Sequence, residues 1–381
     1  MEDFFMKKYL KSVAVSSALS LCLAGMPLLT AHGANMKKIV VLGDSIASGE
    51  NSYVSLLKDC ADVQIQNFSG ENYTTSDILN CFYDVQIQQA LSEADIIVIN
   101  AGEQDILDKF LETTHGFMEE FKFEKFLDVF TAQLQDYGFQ SEDDLIPYAN
   151  QMAADLRVNQ LSAAQNIQQI NHQLENYPDA KIIWQTAYNM LDNIEMYNQL
   201  SAKRQMAYNA ILRPARSVLN GTDNETDDSW KRINDYIKDF GVSHGNVSVI
   251  DVYAGFEGKA YQYTNLYELD FTPTISGHSW IANEVIREAG LDKMGDIDGD
   301  IEINAKDAAS VLVYSAEIGS GNSGNFNDVQ KKLADVNQDN QINAKDAAQI
   351  LVYAANKGAG QIYHFEKVSD TEPTEESSDP V

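Results

Sequence analysis

Short runs of β-branched and aliphatic residues recur along the chain: KKIVVLG (37–43), DVQIQNF (62–68), ADIIVINA (94–101), AKIIWQTA (180–187) and NVSVIDVY (246–253). Between them, in Ser76 to Glu93 and Asn198 to Leu212, apolar residues return with a helical period. Strands alternating with helices predict βαβ units, and so a mostly parallel sheet with helices on both faces. The interval from Ile106 to Pro178 is too long for one crossover. Its FMEEFKFEKFLDVFTAQL and QMAADLRVNQLSAAQNIQQINHQL read as added helices, expected to form a cap over the site. This first domain is expected to span 36–290.

The pattern changes at Gly295. DIDGDIEINAKDAASVLVYSA begins at Asp296, and DVNQDNQINAKDAAQILVYAA begins 39 residues later at Asp335, without a gap between the copies. A tandem repeat signals one structural unit used twice. The first copy places Asp296, Asp298, Asp300, Asn304 and Asp307 at loop positions 1, 3, 5, 9 and 12; the second places Asp335, Asn337, Asp339, Asn343 and Asp346 there. A hard cation such as Ca²⁺ takes six to eight oxygens, and this spacing wraps a loop around one ion with the carbonyl at position 7 contributing. Two polar turns before two helices is the plainer alternative, and two loops in register weigh against it. The module is expected over 295–360 with two structural calcium ions and no catalytic cofactor. Residues 361–381, acidic and lacking periodicity, are expected to form a disordered tail.

Composition narrows the setting. The 381 residues are 44 % hydrophobic, enough for a core, and carry a formal net charge of -30. That charge argues against nucleic acid or an anionic membrane as partner. Lys7, Lys8 and Lys11 precede an apolar run from Val13 to Leu29 and then TAHGAN, the order of a secretory signal, so residues 1–34 are excluded from the fold and a secreted, extracellular product is expected. No later segment reaches the length of a membrane span. Cys60 and Cys81 remain in the mature chain, as a disulfide or as two buried thiols.

The repeat pair resembles a dockerin of type I-like form, a small all-α module of paired F-hands that attaches bacterial enzymes to cohesin-bearing scaffolds. The resemblance covers Gly295 to Gly358, and Asp at position 12 agrees with it. It implies a cohesin module of a scaffoldin as partner, with Ala305, Lys306, Ala344 and Lys345 at partner-choosing positions 10 and 11. Position 6, usually Gly, is Ile301 in the first loop and Asn340 in the second. Asn tolerates a left-handed backbone and Ile does so poorly, so the first loop is expected to be distorted or to bind calcium more weakly.

In the first domain KKIVVLG runs straight into DSIASGE, and the next two strands end in NFSGENYTTSDIL and NAGEQDIL. A lone Gly-Asp-Ser reads as a helix cap. Three consecutive strand ends with small and polar residues meet at the carboxyl edge of a parallel sheet, where ligands bind. Together they resemble the SGNH hydrolases, or GDSL esterases and lipases, which implies a flavodoxin-like three-layer α/β/α sandwich. By that resemblance Ser45 is the nucleophile, and its N–H, the Gly70 N–H and the Gln104 side chain form the oxyanion hole. The family has Asn where Gln104 stands.

The family closes with an Asp and a His in an Asp-x-x-His-Pro-x-x-x-Gly-His pattern. In ELDFTPTISGHSWIA, aligning Pro273, Gly277 and His278 puts Thr272 at the catalytic His position and Leu269 at the Asp position, with Asp270 one place later to orient whichever base exists. A threonine hydroxyl is far too weak a base to take a proton from Ser45 near neutral pH. Three readings follow: a base supplied by His278 or His244 after local rearrangement, a degenerate hydrolase that binds an acylated glycan, or an isolated substitution in an otherwise active lineage. The implied function is ester hydrolysis, such as deacetylation of plant cell-wall polysaccharide in a cellulosome-type complex; the alternative is an inactive glycan-binding protein docked to a scaffoldin.

Overall fold

A computed structural model describes residues 36–113, 132, 142–189, 198–202, 204–205, 208, 232–265 and 272–368. The expected signal segment, FMEEFKFEKFLDVFTAQL but for one residue, seven of the fifteen residues 198–212, and Asp270 lie outside the described residues.

All five anticipated strands form: β1 (Lys37–Leu42), β2 (Val63–Asn67), β3 (Ile96–Asn100), β4 (Lys181–Gln185) and β5 (Val247–Ile250). They make one parallel sheet in the order β2-β1-β3-β4-β5, the flavodoxin-like order. Burial grades across the sheet as the sequence does. Central β3, IIVIN, is buried at every position, whereas edge strand β2 alternates VQIQN and exposes its glutamines. A Val or Ile fully buried this way contributes roughly 1.5–3 kcal/mol.

Helices cover both faces. Ser76 to Glu93 divides into Thr75–Cys81 and Val85–Ser92, because Asp84 stops one helix and caps the next through the Gln86 and Ile87 N–H groups. The helix Glu142–Leu174 is more than the expected cap. Leu156, Ala163, Ile167, Ile170 and Leu174 are buried in the sheet's core, so its carboxyl-terminal half is a layer of the sandwich. Cys60 and Cys81 are both buried as free thiols.

A second core lies in the carboxyl-terminal module, built from Ile297, Ile303, Val311, Leu333, Val336, Ile350 and Tyr353. The helices Ala305–Gly319 and Ala344–Gly358 each follow a calcium-type loop, and each begins at an Asn that caps it. The expectation of a disordered tail from residue 361 is corrected by the structure through residue 368. Phe365 is 6 % exposed in the second core, and Ile362 packs against the first. Two apolar anchors in a polar stretch are too few to register as a period. No helix among the described residues is long and apolar enough to cross a membrane.

Candidate active site and calcium-loop module

Ser45 opens the short helix Ser45–Ser48 directly after β1 and is half-buried. Asp44 caps that helix by accepting from the Ile46 N–H at 3.0 Å. Below it Asn100, the last residue of β3, donates to Asp44 Oδ1 at 2.6 Å and accepts from the Tyr53 hydroxyl at 3.3 Å. Gly43 makes that approach possible, since a Cβ there would lie 2.2 Å from Asn100 Oδ1. Ser45 Oγ accepts the Asn72 N–H at 2.9 Å.

The two other oxyanion donors implied by resemblance are committed elsewhere. The Gly70 N–H donates to the Gly43 carbonyl at 3.1 Å. Gln104 is buried in the first turn of Glu103–Thr113, and its Nε2 donates to Asp108 Oδ1 at 2.7 Å. Asp105 accepts from both the N–H and hydroxyl of Thr75, which ties the helix after β3 to the start of the helix Thr75–Cys81.

A residue that the sequence reading passed over lies next to these. Glu103 is 6 % exposed, and neither its Oε2 nor Asp44 Oδ2 has a donor partner. The two carboxyls face one another within hydrogen-bonding reach, and Glu103 also takes the Tyr188 N–H. Burial raises both above the usual carboxylate range, and for Glu103 the neighbouring Asp44 raises it further. Two buried carboxyls facing one another resist ionising together, and the larger rise falls on Glu103.

No described histidine offers Ser45 a base. His278 is buried with its Nδ1 accepting the Tyr53 N–H at 3.2 Å. That acceptor role places the ring proton on Nε2, so neither nitrogen holds an idle lone pair. His244 follows the helix Ile233–Ser243 and precedes β5, at the amino edge of the sheet opposite Ser45. His172 pairs with Glu175, and His364 with Asp59. Rearrangement of His278 or His244 toward Ser45 therefore finds no support in this arrangement. Thr272 is half-buried, and its carbonyl accepts the Asn265 N–H at 3.2 Å beside the Thr264–Pro273 bridge. Thr274 then caps the helix Ile275–Ala289 through the Gly277 N–H. Gly277 is required, since a Cβ would meet the Tyr263 carbonyl at 2.3 Å.

In the calcium-type loops the donor sets fit a hard cation. Carboxylate oxygens of Asp296, Asp298 and Asp307 lie within 4.8 Å of one another. Asp296 accepts the N–H groups of Gly299, Asp300 and Ile301, and Asp307 accepts those of Ile297 and Asn304. The second loop repeats this with Asp335 accepting from Asp339 and Asn340, and Asp346 from Asn337 and Asn343. Burial, then Asp307 and Asp300, push the Asp296 carboxyl up, as expected where negative charges converge without a counter-charge. Asp298, Asp300 and Asn304, with Asn337 and Asp339 in the second loop, would supply the remaining oxygens. The ion would give each loop its counter-charge and fix its geometry.

Both residues at position 6 are left-handed: Ile301 has φ 72° and Asn340 φ 62°. The first loop is thus undistorted, and Ile301 bears the strain itself, on the order of 1–2 kcal/mol. Ala305, Lys306, Ala344 and Lys345 are all exposed at the starts of their helices.

Comparison with known proteins yields matches of two kinds. Solved structures similar to this chain include a lipase from a goat rumen metagenome (16 % identity, 70 % of this chain and 100 % of that one, TM-score 0.34). Others are an extracellular lipase from Streptomyces rimosus (17 %, 64 % and 95 %, TM-score 0.40) and a lipase/acylhydrolase from Enterococcus faecalis (16 %, 68 % and 98 %, TM-score 0.34). No curated protein matches the sequence. Residues 294–353 match the family model described as Dockerin type I domain, so the paired calcium-type loops form a dockerin at the carboxyl terminus of this chain.

Proposed function

We propose that the first domain is a secreted SGNH-type serine esterase that the dockerin delivers to acylated plant cell-wall polysaccharide through a cohesin module. The observation that carries this reading is the placement of Ser45. It stands half-exposed at the carboxyl edge of β1, braced from below by Asp44 and Asn100, with the ends of β2 and β3 on either side. In the reaction Ser45 Oγ attacks the ester carbonyl, its proton passes to a base, and the alcohol leaves from the tetrahedral intermediate. Water then releases the acid from the acyl-enzyme. The oxyanion would draw on the Ser45 N–H, with the Gly70 N–H and Gln104 Nε2 turning from Gly43 and Asp108 when substrate binds. Asp270 would orient the base. The polysaccharide is inferred from the company that dockerins keep.

A second reading is supported by the same site: a glycan-binding domain that no longer hydrolyses. Thr272 stands at the histidine position, and the described histidines are all engaged elsewhere. Loss of a triad base costs on the order of 10⁴–10⁶ in turnover.

Acetate release from acetylated xylan and from an aryl acetate, with wild type, Ser45→Ala and Thr272→His, separates the two. Turnover by wild type that Ser45→Ala abolishes supports the esterase. Wild type equal to Ser45→Ala, with activity gained in Thr272→His, supports the binding protein on an intact scaffold.

A further inference from the structure

The sheet domain and the dockerin are joined by Gly290–Gly295, and their surfaces meet on both sides of that short link. The Ala61 N–H donates to the Asp292 carbonyl at 2.8 Å and the Met294 N–H to the Asp59 carbonyl at 2.9 Å, flanking a bridge between Cys60 and Lys293. Lys293 is 5 % exposed, and its ammonium donates to Asn283 Oδ1 at 3.1 Å and to the Ile301 carbonyl at 3.2 Å. Asn283 Nδ2 in turn donates to Glu302 Oε1 at 3.1 Å. Asn283 belongs to the helix Ile275–Ala289 of the sheet domain; Ile301 and Glu302 are positions 6 and 7 of the first calcium loop.

The second repeat is an internal control. Position 6 is left-handed in both loops, but Asn340 is exposed, whereas Ile301 is half-buried against the core of the sheet domain. A calcium loop in isolation gains nothing from a β-branched residue in that conformation. A loop seated on an apolar neighbour gains the contact. The residue least suited to the loop is therefore the one that faces the sheet domain.

We infer that the first calcium loop has the chain's own sheet domain as a fixed partner, held by Ile301, Glu302 and Lys293 against Asn283. Calcium occupancy of that loop and the ordering of the sheet domain around Cys60 and Asn283 are then one coupled equilibrium. Coupling of this kind is reciprocal: what favours the seated loop favours the ion, and the ion favours the seat. The inference does not depend on whether Ser45 turns over an ester.

Amide hydrogen exchange on the full chain tests it, together with calcium titration by calorimetry. Removing calcium with a chelator is expected to speed exchange at the Ala61 and Met294 amides on the order of tenfold or more, since both donate across the junction. Ile301→Asn, which copies the second loop, should speed the same amides with calcium present while two ions still bind. Asn283→Ala should weaken one calcium site and leave the other. The inference is overturned if Ala61 and Met294 keep their protection after calcium removal while the dockerin amide of Ile297 loses its own. Unchanged affinity at both sites in Asn283→Ala also overturns it, so the test does not rest on the folding of Ile301→Asn.

Discussion

The backbone N–H of Tyr53 donates to Nδ1 of His278, a ring 7 % exposed and 225 positions away in sequence. This bond joins the segment after Ser45 to the helix that closes the domain, and it spends the lone pair a catalytic histidine would need. His278→Phe should leave the Tyr53 N–H buried without a partner and cost about 1–3 kcal/mol. Urea unfolding measures this. Any ester turnover, normalised to folded protein, should stay within a few-fold of wild type. A collapse of turnover at unchanged stability would show that His278 is the base after all.

The buried carboxyls of Asp44 and Glu103 face one another near Ser45, both raised above the usual carboxylate range, and this makes a pH prediction. Burial and the facing Asp44 raise Glu103, with Asp105 adding to the negative field at Asp44 and the Tyr188 N–H opposing it. The folded state therefore binds more protons than the unfolded chain above the ordinary carboxylate pKa of about 4. Stability must fall as pH rises from there toward the raised value. Glu103→Gln removes the ionisation and keeps a donor for Asp44. Each pKa unit of elevation is worth about 1.4 kcal/mol. The variant should thus be more stable than wild type at neutral pH and flatten the fall between pH 5 and 8. Thermal unfolding across that range is the measurement, and parallel profiles for the two proteins would refute the raised Glu103 carboxyl.

The sheet was legible because its signals are local. IIVIN and KIIWQ have no reading other than buried strands, and the repeat at Asp296 and Asp335 exposes itself by alignment. The placement of Ser45 just past β1 was equally plain, since strand-end motifs sit at fixed offsets. What escaped was everything decided across the fold. Glu103 looked like filler between Gly102 and Gln104 until β1 and β3 brought it opposite Asp44. Ile301 appeared only as a fault in a calcium loop, because the surface that rewards it lies in another domain. The amides of Gly70 and Gln104 were assigned by residue type, and type does not reveal that Gly43 and Asp108 already engage them.

His364 anchors the segment 361–368, its Nδ1 3.0 Å from Asp59 Oδ1 and beside Lys58. The hydrogen bond to Asp59 raises its pKa first and the carboxylate's charge adds to this, while partial burial and Lys58 oppose. A histidine raised in the folded state stabilises fully below its ordinary pKa of about 6.5, and that contribution is lost as pH climbs through the raised value. The window is therefore neutral to mildly alkaline. Ile362 and Phe365, on either side of His364, pack on different cores, so releasing the imidazolium should loosen the 361–368 strap rather than unfold either domain. Exchange at the Val368 amide, which donates to the Asn337 carbonyl at 3.0 Å, reports this directly. After correction for intrinsic rates it should quicken as pH rises from 6 to 8.5 in wild type and be fast and flat in His364→Gln. An imidazole titration midpoint at or below about 6.5 would sink the prediction, because Asp59 would then not be stabilising the imidazolium.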